Sequence, residues 1–214
     1  MRPATVESVL IDGPVGKIET DISDPGLAAA GTRRGIALIA HPHPLQGGTK
    51  DNKVVTTLAR TLYALGNVTL RPNFRGVGGT GGSYDEGHGE TDDLVAIVHY
   101  ARQRFGDMPL ICAGFSFGSY VQSRVARVIR PAQLVLVAPA VSRFEAGAVP
   151  AGTLVIHGEL DDVVPLAAVF DWARPQNLPL VVVPGAEHFF HGRLHLLQQI
   201  VMQYCRPHSS ASHK

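Results

Sequence analysis

A chain of 214 residues with 45% apolar composition can bury one sizeable core, and a formal charge of +1 with no block of like charges leaves no footprint for nucleic acid or an anionic membrane surface. No segment approaches the roughly 18 uninterrupted apolar residues of a membrane span, and the opening MRPATVESVLIDG lacks the basic cluster and apolar run of a secretory leader, so a soluble, cytoplasmic protein is expected. The two cysteines, Cys112 in an apolar run and Cys205 in a helix-like segment, suggest neither a disulfide framework nor a cysteine metal site.

Residues 5 to 22 alternate around the Gly13-Pro14-Val15-Gly16 turn, which predicts an antiparallel hairpin. The runs that follow are short and continuously apolar: Ile36 to Ala40, Val68 to Leu70, Leu110 to Ala113, Leu134 to Ala138, Leu154 to Ile156 and Leu180 to Val183. Runs without alternation suit strands covered on both faces, the habit of a parallel sheet. Between them, helical spacing joins Val55, Leu58, Leu62 and Leu65, then Leu94, Val98, Ala101 and Phe105, then Phe117, Val121, Val125 and Val128. A last helix carries Leu197, Ile200, Val201 and Tyr204. The alternation predicts an α/β fold with a mostly parallel, doubly wound sheet and a ligand site beyond the carboxyl ends of its strands. No repeat or linker divides residues 1–206, which are expected to form one domain, and the polar tail over 207–214 is expected to be disordered.

At the end of the run Leu110 to Ala113, Gly114-Phe115-Ser116-Phe117-Gly118 falls between strand and helix, the setting a nucleophile elbow demands. A bare G-x-S-x-G is short enough to arise by chance and a serine there could simply cap the helix; the strand before and helix after favour the nucleophile. A hydroxyl needs a base within hydrogen-bond reach, itself oriented by a third group. His188 sits in the loop past the last predicted strand, with His191 as a competitor at the start of the last helix; His188 is preferred among ten histidines. The acid is Asp161 or Asp162, in the turn after Leu154 to Ile156, although an aspartate there could also cap a helix opening at Pro165.

Attack on a carbonyl needs backbone donors for the oxyanion. One is the N–H of Phe117; the second comes from the loop His41-Pro42-His43-Pro44-Leu45, whose prolines leave His43, preferred, or Leu45. Zinc on His41 and His43 lacks a third ligand at suitable spacing, so no metal is expected. Gly76-Val-Gly-Gly-Thr-Gly81 fits a dinucleotide fingerprint as written, but SYDEGHGE intervenes before the next helix, so a flexible loop bordering the pocket is the preferred reading. Phe74, Phe115 and Phe189 are expected at the pocket wall, with core positions the alternative for each. Arg71 and Arg75 are read as surface ion pairs before an anionic substrate contact.

Taken together, HPHPLQGGTKDNKVV (41–55), NFRGVGGTGGSYDEGHGETDDL (73–94), GFSFG (114–118), HGELDDVVP (157–165) and GAEHFF (185–190) resemble the α/β-hydrolase superfamily, and within it the short bacterial serine hydrolases without a cap domain. The resemblance spans nearly the whole chain. It implies the α/β-hydrolase fold, Asp161 as the triad acid, a carboxylesterase or thioesterase activity on a small molecule, and no cofactor. HPHP stands where many members carry His-Gly, which bears on the second oxyanion donor. The stretch from Ala138 to Ala151 is too short for a cap of several helices, so an open pocket is expected. A peptidase or amidase using the same triad, and a silent hydrolase fold that binds a ligand or partner, are the alternatives.

Overall fold

The computed structural model describes residues 5–27 and 32–206; the tail expected over 207–214 lies outside the described residues. Strands β1 (Val6–Gly13) and β2 (Gly16–Ser23) form the hairpin, paired from Val6 with Ser23 to Gly13 with Gly16. After them come β3 (Gly35–Ala40), α1 (Lys53–Ala64), β4 (Asn67–Pro72), α2 (His88–Phe105), β5 (Leu110–Phe115) and α3 (Phe117–Ile129). The chain continues through β6 (Gln133–Val137), β7 (Leu154–Gly158), α4 (Leu166–Ala173), β8 (Leu180–Val183) and α5 (Leu194–Cys205). The eight strands form one sheet in the order β1-β2-β4-β3-β5-β6-β7-β8. Only β1–β2 and β2–β4 pair antiparallel; from β4 to β8 every neighbour is parallel.

Two apolar layers explain why the central strands read as unbroken runs. Along β3, Ile36, Leu38 and Ala40 face α2 and α3, packing with Leu94, Ile97, Val98, Val121 and Val125. Ala37 and Ile39 face the opposite way, against Val55, Leu58 and Leu62 of α1 and Leu197 and Val201 of α5. With helices on both faces, the period of two survives in which layer each residue joins, not in polarity.

Helix boundaries follow local chemistry. Asn52 caps α1 by accepting the Val54 N–H at 2.9 Å. Helix α2 begins at His88, six residues before the apolar spacing becomes visible at Leu94. The fully buried Glu90 makes this possible: its carboxylate accepts the N–H groups of Asp85 at 2.9 Å and Gly87 at 2.8 Å, so an acid-rich stretch expected to be loop becomes the first helical turn. Residues 138–153, between β6 and β7, contain turns and no helix.

Candidate active site

Ser116 occupies the one-residue junction between β5 and α3, with φ 54° and ψ −116°. Its own N–H still reaches across to β6, donating to the Val137 carbonyl at 2.9 Å. So sharp a turn works only without side chains beside it. A Cβ on Gly114 would run into the Gly118 carbonyl, and one on Gly118 into the Ala40 carbonyl at the end of β3. The second approach also seats the start of α3 against the loop that carries His41 and His43.

The loops after β7 and β8 supply two further side chains. His188 Nε2 lies 3.1 Å from Ser116 Oγ, and His188 Nδ1 lies 2.7 Å from Asp161 Oδ2. Because a carboxylate oxygen only accepts, Nδ1 carries the proton and Nε2 presents its lone pair to the serine hydroxyl. All three are buried, and His188 is wedged between Phe115 and Phe189, at ring separations of 5.0 and 5.1 Å. Asp161 Oδ1 accepts the N–H groups of Val163 at 3.0 Å and Val164 at 2.7 Å. Burial alone would raise the Asp161 carboxyl, but the His188 hydrogen bond, the Val164 N–H and the positive charge His188 can carry outweigh it and hold the group below the usual carboxylate range. The competitors lie apart from this chain: Asp162 is exposed, and His191 is an exposed ring paired with Glu187.

The remaining expected residues divide. Phe117 is the first residue of α3, so its N–H is one of the leading donors that no carbonyl of the helix can claim. His43 precedes the turn Pro44–Gln46, and its carbonyl accepts the Gln46 and Gly48 N–H groups; Leu45 is 71% exposed. Phe189 is 40% exposed beside His188. Phe74 and Phe115 correct the expectation of a pocket wall: they are 1% and 0% exposed and belong to the two core layers, so neither offers a surface to substrate in this conformation. Register could have signalled this for Phe115, which shares the parity of Ile111 and Ala113 on β5 and so joins the α1–α5 layer.

Arg75 is likewise no surface group. It is 7% exposed and bonds both oxygens of Asp93 at 2.8 Å, together with the Gly89 carbonyl. Arg71, half-buried, pairs with the buried Asp21 at 3.1 Å. The glycine-rich segment does not open into a helix; α2 starts only at His88. Its Gly79 N–H is taken by Glu19 Oε2 at 2.7 Å, and the same oxygen accepts Asn73 Nδ2 at 3.0 Å.

Two histidines have places that identity alone did not reveal. His41 is fully buried, with Nδ1 donating to the Pro42 carbonyl at 2.7 Å and Nε2 accepting the Phe74 N–H at 2.8 Å. Both nitrogens are thus occupied in tying the loop after β3 to the loop after β4, and burial pushes the ring down to about 4. His157, at the end of β7, is also fully buried, with Nε2 2.9 Å from the Val164 carbonyl. Its place four residues before Asp161, on the strand that leads to it, was the available signal.

No family model matches the chain. An uncharacterized protein of Rickettsia prowazekii is 29% identical over 92% of this chain and 87% of its own length. Among solved structures, an α/β serine hydrolase without a lid from Xanthomonas campestris is 38% identical, with 96% of each chain covered and a TM-score of 0.89. An α/β serine hydrolase homologue from Coxiella burnetii is 40% identical over 96% of this chain and 100% of its own, with a TM-score of 0.85. Est1E of Butyrivibrio proteoclasticus, solved with ferulic acid bound, is 19% identical over 92% of this chain and 97% of its own, with a TM-score of 0.77, a likeness of fold alone.

Proposed function

The chain belongs to the α/β serine hydrolases without a lid, and from that premise we propose that it hydrolyses an ester or thioester of a small molecule by acyl transfer through Ser116, His188 and Asp161. The observation that carries this reading is the continuous hydrogen-bonded relay of 3.1 Å from Ser116 Oγ to His188 and 2.7 Å from His188 to Asp161. Ser116 Oγ attacks the carbonyl carbon while its proton passes to His188 Nε2. The oxyanion is held by the Phe117 N–H and by that of His43, with Leu45 as the alternative second donor. Collapse expels the alkoxide or thiolate, which takes the proton from His188. Water then attacks the acyl-enzyme and gives a proton to His188; collapse breaks the bond to Ser116 Oγ, which takes that proton back, releasing the carboxylic acid and the free enzyme.

Asp161 does not take up a proton in this cycle. Its lowered pKa keeps it ionised at neutral pH, where it holds Nδ1–H and stabilises the imidazolium as it forms. Nucleophile, base and orienting acid all come from side chains, so the chemistry requires no cofactor or metal. Among the described residues no helix is long and apolar enough to cross a membrane. The enzyme we propose is cytoplasmic and acts on small molecules.

A fluorophosphonate probe tests the nucleophile. Labelling of wild type that disappears in Ser116→Ala supports the reading; folded wild type that stays unlabelled points to a silent binding protein. Turnover of p-nitrophenyl butyrate, a short acyl-CoA and an aminoacyl anilide then sorts esterase from thioesterase and amidase.

A further inference from the structure

The reaction above leaves one polar group beside the triad without a task. His157 is fully buried at the end of β7, and a leucine or phenylalanine would fill the same space with no polar atoms to satisfy. Its Nδ1 has no hydrogen-bond partner among the described residues, a liability in a buried site. Its Nε2 is well used. That nitrogen lies 2.9 Å from the Val164 carbonyl, which only accepts, so Nε2 carries the proton and Nδ1 is a bare lone pair. The same Nε2 stands 3.5 Å from Asp161 Oδ2, the oxygen that receives His188 Nδ1–H.

Val164 is the hub. Its N–H donates to Asp161 Oδ1 at 2.7 Å and its carbonyl accepts from His157, so both peptide planes flanking this residue are tethered by a side chain. Asp161 Oδ1 is also held by the Val163 N–H at 3.0 Å, which leaves Oδ2 free to face the imidazole of His188.

We propose that His157 is a positioning residue for the triad acid: its Nε2–H anchors the Val164 carbonyl and borders Asp161 Oδ2, fixing the turn that aims this oxygen at His188 Nδ1. The inference rests on the triad reading above. The titratable groups packed against His157 are Asp161, from the loop after β7, and His188, from the loop after β8. Burial, with the positive charge of a protonated His188 adding to it, holds His157 neutral. A neutral donor suits the place: a second cation beside Oδ2 would compete with the imidazolium that forms on His188 during the reaction.

The two amide side chains separate the donor from mere bulk. Glutamine places its N–H₂ at the position of Nε2; asparagine reaches only as far as Nδ1. Labelling by fluorophosphonate–rhodamine needs no knowledge of the natural substrate and resolves the maximal inactivation rate from probe binding. We expect His157→Asn and His157→Phe to slow the maximal rate about tenfold, the worth of one hydrogen bond, with probe binding within about twofold, and His157→Gln to stay within about threefold of wild type. Should His157→Phe fail to fold, the Gln and Asn pair carries the comparison alone. Equal rates in Gln and Asn variants, or a fall in rate and probe binding together in all of them, overturn the proposal. Asp161→Asn is the reference: if it labels as fast as wild type, the triad reading fails and this inference with it, whereas slow Asp161→Asn beside fast His157→Asn removes the role of His157 alone.

Discussion

Ser116 donates its backbone N–H to the Val137 carbonyl at 2.9 Å, so the residue just past β5 is still tied to β6 although its φ has already swung to 54°. With ψ at −116° this is a conformation that side chains avoid, at a cost of order 1–3 kcal/mol. Ser116→Ala keeps the Cβ and the strain; Ser116→Gly removes both. After the extra unfolded-state freedom of glycine is subtracted, Ser116→Gly should be about 1 kcal/mol more stable than Ser116→Ala in urea unfolding. A glycine variant that is the less stable of the two would mean that no strain is stored there.

Loss of catalysis should be separable from loss of structure at the acid. Ser116→Ala and His188→Ala should each lower turnover about 10⁴-fold or more with melting temperatures close to wild type. Asp161→Asn should lose less, about 10²–10⁴-fold, and keep an Oδ1 able to accept the Val163 and Val164 N–H groups. Asp161→Ala forfeits both acceptors and should lose a further 1–3 kcal/mol or so of stability. Equal stability of the two Asp161 variants would deny the carboxylate its part in the turn.

Acid should weaken the fold through His41 before the carboxylates titrate. Burial lowers this ring from 6.5 to about 4 in the native protein, so between those values the unfolded chain binds a proton that the folded chain refuses. The contribution is fully present above about pH 6.5 and is lost as pH falls to about 4, worth about 3 kcal/mol in all. Following the His41 ring resonances by NMR from pH 7 to about pH 5.5 should show a neutral imidazole throughout, with protonation setting in only toward about pH 4. A midpoint near 6.5 would contradict the two hydrogen bonds assigned to it.

The aromatic residues around the site should fall into two kinds. Phe115→Ala, at 0% exposure, should cost about 3–5 kcal/mol. Phe189→Ala, at 40% exposure beside His188, should cost less than about 1 kcal/mol and instead raise KM for p-nitrophenyl esters. A large stability loss at Phe189 with KM unchanged would place it in the core with Phe115.

Chain order and local context were enough to nominate Ser116 and His188, because each falls in a junction just beyond an apolar run, where the ends of parallel strands converge. Choosing Asp161 over Asp162 was another matter: from the residues alone either could serve, and the difference lies in which one turns inward while its neighbour faces solvent. Phe74 was unreadable for the same reason, since a phenylalanine just past a strand can turn to either side, whereas the register of Phe115 on β5 already carried its core position. The early start of α2 was hidden because Glu90 stabilises it through backbone N–H groups and not through apolar periodicity. His157 and Arg75 show the limit most plainly: a buried polar side chain is recognised by its partners, and those partners come from other elements, the loop after β7 for His157 and helix α2 for Arg75.

The carboxylate of Glu19, reaching from the hairpin to Asn73 and Gly79, changes what the abundance of glycine after β4 means. Those residues supply curvature, and the curve is then clamped from a neighbouring strand. Hydrogen exchange at the Gly79 amide should accordingly be slow for a segment of its composition, and grafting this stretch elsewhere as a hinge would transplant the bend without the carboxylate that freezes it.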